Sequence, residues 1–158
     1  MIRPATAVDV PGIAVLWNAM IRDTTATFTT EEKTEAALDE MIAGRKGSFL
    51  IHGQGTVEGF VTWGPFRAGP GYARTVEHSI IVGPRGQGIG RALLSQAMVA
   101  AARQGHHVMV AAISGENPAA QAFHRRLGFA DAGRLAGVGY KAGRWLDLVL
   151  MTKLLDTP

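Results

Sequence analysis

The chain has no cysteine, only two tyrosines, and few charged residues for its length. Without cysteine, disulfides and thiolate metal sites are excluded. Charged residues make up 18% of the chain and apolar residues 47%, which is not the composition of a disordered polypeptide. No apolar run approaches the length of a membrane span. The opening "MIRPATAVDVPG" lacks an uninterrupted apolar segment behind a basic start, so no signal peptide is expected. Repeats, low-complexity tracts and linkers are absent, so 158 residues read as one domain over residues 1–158. The formal charge is +3, with scattered arginines that are densest at Arg125 and Arg126. A basic stripe with interleaved aromatics is missing, so neither nucleic acid nor membrane is an expected partner. A small polyanion would still be favoured by this mildly positive field.

What is there reads as alternating strands and helices. "MIRPA" forms a short first strand, and Asp9 is the expected cap of a helix with Pro11 in its first turn. Val10, Ile13, Ala14, Trp17 and Ile21 fall on one face of that helix. Thr29 and Glu32 have capping-box spacing, which predicts a second helix over roughly 30–43. "SFLIH" and "TVEGFVTWG" flank the hairpin turn "GQG", and "YARTVEHSIIV" follows as a long strand. The helix after "RGQGIG" has Leu94, Ala97, Met98 and Ala101 on its core face and ends at Gly105. "HHVMVAAI" is a buried strand, Asn117 and Pro118 start a last helix that Gly128 stops, and two strands close the chain. The order βααβββαβαββ implies an α/β fold, a mixed sheet with helices on both faces.

The stretch "IIVGPRGQGIGRALL", residues 80–94, places a glycine loop between a strand and a helix. Glycines permit positive φ and close approach, and the first amides of a helix have no partners of their own. Together they can cradle a pyrophosphate. A nucleotide P-loop needs Lys and Ser or Thr after its last glycine, but Arg91 and Ala92 stand there. A dinucleotide fingerprint needs glycine where Arg91 stands and belongs to the first strand–helix unit, whereas this loop lies past mid-chain. A tight turn holding nothing is the remaining structural alternative.

The spacing Arg-x-x-Gly-x-Gly after a strand resembles the acyl-CoA loop of the Gcn5-related N-acetyltransferase family. "ENPAAQAFHRRLGF" is similar to that family's next helix, and the element order matches as well. "TTATF", "TVEHSIIV" and "VGYKAGRWLDLVLMTKLL" resemble its phosphinothricin and methionine sulfoximine acetyltransferase branch. The resemblance implies a sheet splayed open between the fourth and fifth strands, with acetyl-CoA in the cleft. It places the pantetheine arm along Ile80, Ile81 and Val82. The pyrophosphate falls against Arg85, Gly86, Gln87, Gly88, Ile89, Gly90 and Arg91, with Asn117 and His124 also on the cofactor side. The family usually has about four residues between the strand-ending valine and the loop arginine. Here only Gly83 and Pro84 separate Val82 from Arg85.

Acetylating an amine needs a neutral amine, a polarised carbonyl and a departing thiolate. Glu77 interrupts an apolar strand and shares a face with Ser79 and Ile81, so it is the candidate base, a role the resemblance also implies. His78 points the other way and is read as structural. Arg74 lies three residues ahead of Glu77 and would need a bulge to share its face. The resemblance implies that Arg74 grips a substrate carboxylate, while the bland alternative is a surface arginine. His124 stands where many relatives carry a tyrosine acid; as an imidazole it reads equally as proton donor or packing. Thr27 and Phe28 resemble the branch's substrate-side loop. Trp63 and Tyr72 could wall the pocket or belong to the core, and Trp145 is read as packing. Ala142 replaces the branch's usual aromatic or histidine, which implies a wider pocket. His106 and His107 face opposite sides, which argues against a metal.

These expectations describe an acetyl-CoA-dependent N-acetyltransferase for a small amino acid analogue, cytoplasmic and homodimeric, without a metal. Two other functions compete with it: a protein or peptide amine acetyltransferase, and a CoA-binding sensor without turnover.

Overall fold

In the computed structural model, which describes residues 1–84 and 88–156, seven strands form one mixed sheet flanked by four α-helices. In chain order these are β1 (Ile2–Pro4), α1 (Val10–Asp23), α2 (Glu35–Gly44), β2 (Phe49–His52), β3 (Gly59–Pro65) and β4 (Thr75–Val82). The chain continues as α3 (Ile89–Arg103), β5 (Val108–Ser114), α4 (Pro118–Arg126), β6 (Ala130–Lys141) and β7 (Arg144–Leu154). The sheet order is β1-β2-β3-β4-β5-β7-β6, and only the β4–β5 pair is parallel.

The expected order of elements is found, with three local corrections. Asp9 stands before α1, yet its carboxylate turns back to Thr6 and to both Arg3 Nη atoms, at 2.8 and 2.7 Å. Arg3 above all holds that carboxyl below its usual range. The second helix begins at Glu35, capped by Thr34, whose Oγ1 accepts from Ala37 N. Thr29 instead accepts from Glu31 N, and Glu32 pairs with Arg22. The Asn18 side chain bonds both the N–H and the C=O of Lys33, which competes with helix for that backbone. Finally, β4 starts at Thr75, because Pro70–Tyr72 form a 3-10 turn.

Two cores sandwich the sheet. On one face α1 and α2 bury Ile13, Trp17, Ile21 and Leu38 against Phe49 and Phe60. On the other, α3 buries Leu93, Leu94, Ala97 and Ala101 against Val61, Trp63 and Met109. Trp63 is thus a core residue, whereas Trp145 is 73% exposed on the outer hairpin and packs at a tilt against Tyr140 with ring centroids 4.8 Å apart.

Candidate active site

The functional cleft arises from a failure of pairing. β4 and β5 are parallel neighbours only from Thr75 to Glu77, opposite Val108 to Val110. Beyond Glu77 they have no registered partners, although β4 stays paired with β3 as far as Val82. The expected splay is therefore present, and it opens at the base candidate.

Three cavities line up along this split. The first, about 590 Å³, lies against Ile80, Val82, Gly88, Gly90, Arg91 and His124. Gly88 caps α3 with φ +79°, a left-handed conformation that glycine adopts without steric cost. The amides of Ile89, Gly90 and Arg91 begin the helix and have no intrahelical acceptor. A Cβ on Gly90 would come within 3.4 Å of Phe123 and Val82, so the loop packs closely on the cleft wall. These features suit a diphosphate. Arg85, Gly86 and Gln87, assigned to the same ligand from the sequence, lie outside the described residues.

The second cavity occupies the split and is lined by His78, Ser79, Ile80, Ile81, Asn117 and His124. Asn117 caps α4 through Ala120 N at 3.1 Å. The third, about 220 Å³, holds Glu77, Thr27 and Phe28, together with His78 and Ser79. Ile80 and His124 border the first and second cavities, and Thr27, His78 and Ser79 border the second and third. A continuous route thus runs from the start of α3 to Glu77.

Among the described residues, Glu77 is the only carboxylate lining its pocket. Its side chain is open to solvent, but the surrounding walls desolvate it and push its carboxyl above the ordinary 4.5. Arg74 does not line this pocket. It is exposed at the start of β4, and its carbonyl accepts from His107 and Val108 N–H. Tyr72 is also exposed and packs on Phe66. Ala142 lies at the tip of the β6–β7 hairpin beside Thr24 and Thr25, away from Glu77.

His78, read from the sequence as structural, meets His124 at 3.0 Å between Nε2 atoms. His78 Nδ1 lies 3.1 Å from Val110 O, and His124 Nδ1 lies 2.7 Å from Ala120 O. Burial pushes His78 down to about 3, with His124 adding to the shift, and burial also lowers His124. The pair is therefore neutral at pH 7. Two neutral imidazoles carry two N–H groups for three contacts, so every choice of tautomers leaves at least one contact without hydrogen. Both nitrogens of His124 face protein atoms. No sequence period could reveal this partnership, because the residues are 46 positions apart. The same holds for Lys141, whose largely buried side chain donates to the Thr27 carbonyl.

Comparison with known proteins agrees with this geometry. Residues 13–129 match the model of the acetyltransferase (GNAT) family. The chain is 38% identical to an L-methionine sulfoximine/L-methionine sulfone acetyltransferase of Pseudomonas paraeruginosa, covering 98% of this chain and 94% of the relative. It is 31% identical to a phosphinothricin N-acetyltransferase of Streptomyces viridochromogenes, over 99% and 88% of the two chains. A Salmonella typhimurium structure solved with its cofactor acetyl-CoA superposes with a TM-score of 0.93 at 34% identity, covering 100% of this chain and 95% of that one. The chain belongs to the GNAT acetyltransferase family and is an acetyl-CoA-dependent N-acetyltransferase.

Proposed function

We propose that the enzyme acetylates the α-amine of a small amino acid analogue of the methionine sulfoximine, methionine sulfone or phosphinothricin kind, by direct attack in a ternary complex. The observation that carries this reading is the unbroken route from the α3 amides through the β4–β5 split to one carboxylate in a small pocket. The names of the full-length relatives support the substrate class.

When bound, acetyl-CoA supplies the thioester whose acetyl group is transferred. The amides of Ile89, Gly90 and Arg91 would hold its diphosphate, and the free edge of β4 over Ile80, Ile81 and Val82 would carry its arm. Asn117 shapes the far wall. Glu77 takes the proton of the ammonium, through a water, so that the nitrogen attacks in its neutral form. A pocket that raises the carboxyl suits it to that exchange. Arg74 is our candidate grip for the substrate carboxylate; its exposed side chain stands outside the Glu77 pocket and would have to swing towards it on binding, while Thr27 and Phe28 wall the pocket for the side chain. His124 flanks the departing sulfur. Since its nitrogens face His78 and Ala120, donating a proton would require it to break one of those contacts. Thiols ionise with a pKa of about 8.5, far below that of an alcohol, so the sulfur can leave as thiolate without that donation.

We also propose a homodimer that buries the β6–β7 hairpin, where Val138, Tyr140 and Trp145 form an exposed apolar face. We place the enzyme in the cytoplasm, where acetyl-CoA is available. The function is tested by following free thiol release from acetyl-CoA across an amine panel. Turnover with methionine sulfoximine, its sulfone or phosphinothricin is expected. Turnover with lysine peptides alone would contradict the reading.

A further inference from the structure

The wall of the Glu77 pocket comes in part from a segment that cannot hold itself in place. Among the described residues, Thr25 to Phe28 make no backbone–backbone hydrogen bond to any other segment. They are held instead by the β6–β7 hairpin, more than a hundred residues away in sequence. Lys141 Nζ donates to Thr27 O at 2.7 Å, and Lys141 is only 7% exposed. Its ammonium has no carboxylate within ion-pair distance among the described residues, so this carbonyl is its one protein partner there. Two residues earlier, the Phe28 ring lies directly over the backbone of Gly139. A Cβ at Gly139 would overlap Phe28 Cδ2, so only glycine leaves room for the ring. A third contact supports these two. Thr25 Oγ1 donates to Glu116, which Arg144 grips with two bonds of 2.9 and 2.8 Å.

We infer that Lys141 and Gly139 are positioning residues that determine amine selectivity, because they set the height of the Thr27–Phe28 wall over Glu77. Gly139 gives the aromatic ring its seat, and Lys141 ties down the carbonyl beside it. Most of the Lys141 side chain is withdrawn from solvent for a single carbonyl partner, and its use here is to fix a segment that lacks a ladder of its own. The inference rests on the reading of the Glu77 pocket as the amine site. Its structural half does not depend on that reading.

The test pairs limited proteolysis with steady-state kinetics on full-length protein. Lys141→Met keeps most of the side-chain length and removes the donor; Lys141→Arg restores a donor; Gly139→Ala unseats Phe28. In Lys141→Met, chymotrypsin should cut after Phe28 about tenfold faster or more, and the amine KM should rise about tenfold. The affinity for acetyl-CoA should stay within about twofold, since the diphosphate cradle lies at the other end of the route. Preference among the amines of the panel should flatten in Lys141→Met and Gly139→Ala, and Lys141→Arg should recover part of it. Unchanged cleavage overturns the tether. Faster cleavage with unchanged amine KM and preference overturns the selectivity role. If the wild type acetylates no amine in the panel, the proposed substrate class fails and the cleavage data still decide the tether.

Discussion

His78 and His124 meet nitrogen to nitrogen at 3.0 Å where β4 and β5 part, packed among the rings of Phe123 and Phe129. No carboxylate pairs with either ring among the described residues. Their contacts would welcome a third proton, but burial opposes it, and at neutral pH burial prevails.

The pair therefore links stability to pH. Both folded values lie below the unfolded 6.5, so the folded chain binds fewer protons than the unfolded chain as pH falls beneath that point. The stabilisation is complete above 6.5 and is lost as the pH drops towards the folded values. The limiting slope is about 1.4 kcal/mol per pH unit for each unmatched proton. Glu77 acts in the opposite sense, since its folded value is raised. Urea unfolding between pH 7 and 5 should show falling stability in the wild type and a flatter profile in His78→Leu. Equal slopes in the two would remove the histidine pair from the explanation.

Gly88 holds a left-handed φ of +79° at the start of α3. A Cβ there costs about 1–2 kcal/mol in that conformation, although no atom of the described residues crowds it. Gly88→Ala should weaken acetyl-CoA binding about tenfold by calorimetry. It should leave the helix content unchanged by circular dichroism.

Trp145 is 73% exposed and packs at a tilt against Tyr140, on a hairpin whose outer strand β6 has no further partner in the sheet among the described residues. Trp145→Glu places a charge on the proposed dimer face. Sedimentation should show a dimer for the wild type and a shift towards monomer for the variant.

Ala142 has φ +54° in the two-residue turn between β6 and β7, with Gly143 at +75°. Such a turn favours glycine or asparagine at both positions. Ala142→Gly should stabilise the chain by about 0.5–1 kcal/mol in urea unfolding, because it relieves a left-handed alanine.

Much of this was legible in the sequence because local chemistry is written locally. Asn117, Pro118 and Gly128 mark the ends of α4 by rules that act within a turn of helix, and the structure obeys them. Thr29 and Glu32 met the same kind of rule and failed it, because Asn18, far away in α1, captured the Lys33 backbone. The site divides the same way. The period-two pattern of β4 separates Glu77 from His78. It could not show that the β4–β5 ladder stops at Glu77, that His78 finds His124, or that Lys141 reaches Thr27. Those contacts join residues through the tertiary fold, and no local rule reads them.

The central claim is that Glu77 is the base at the end of the acetyl-CoA route. The direct measurement is the pH dependence of kcat/KM for the amine, in wild type and Glu77→Gln. Because the base must be ionised, the wild-type rate should climb with pH through a carboxyl value above the ordinary 4.5. Glu77→Gln should lose about a hundredfold or more of that rate and the carboxyl limb with it, while binding acetyl-CoA as before. A variant that keeps the wild-type rate and profile would contradict the account.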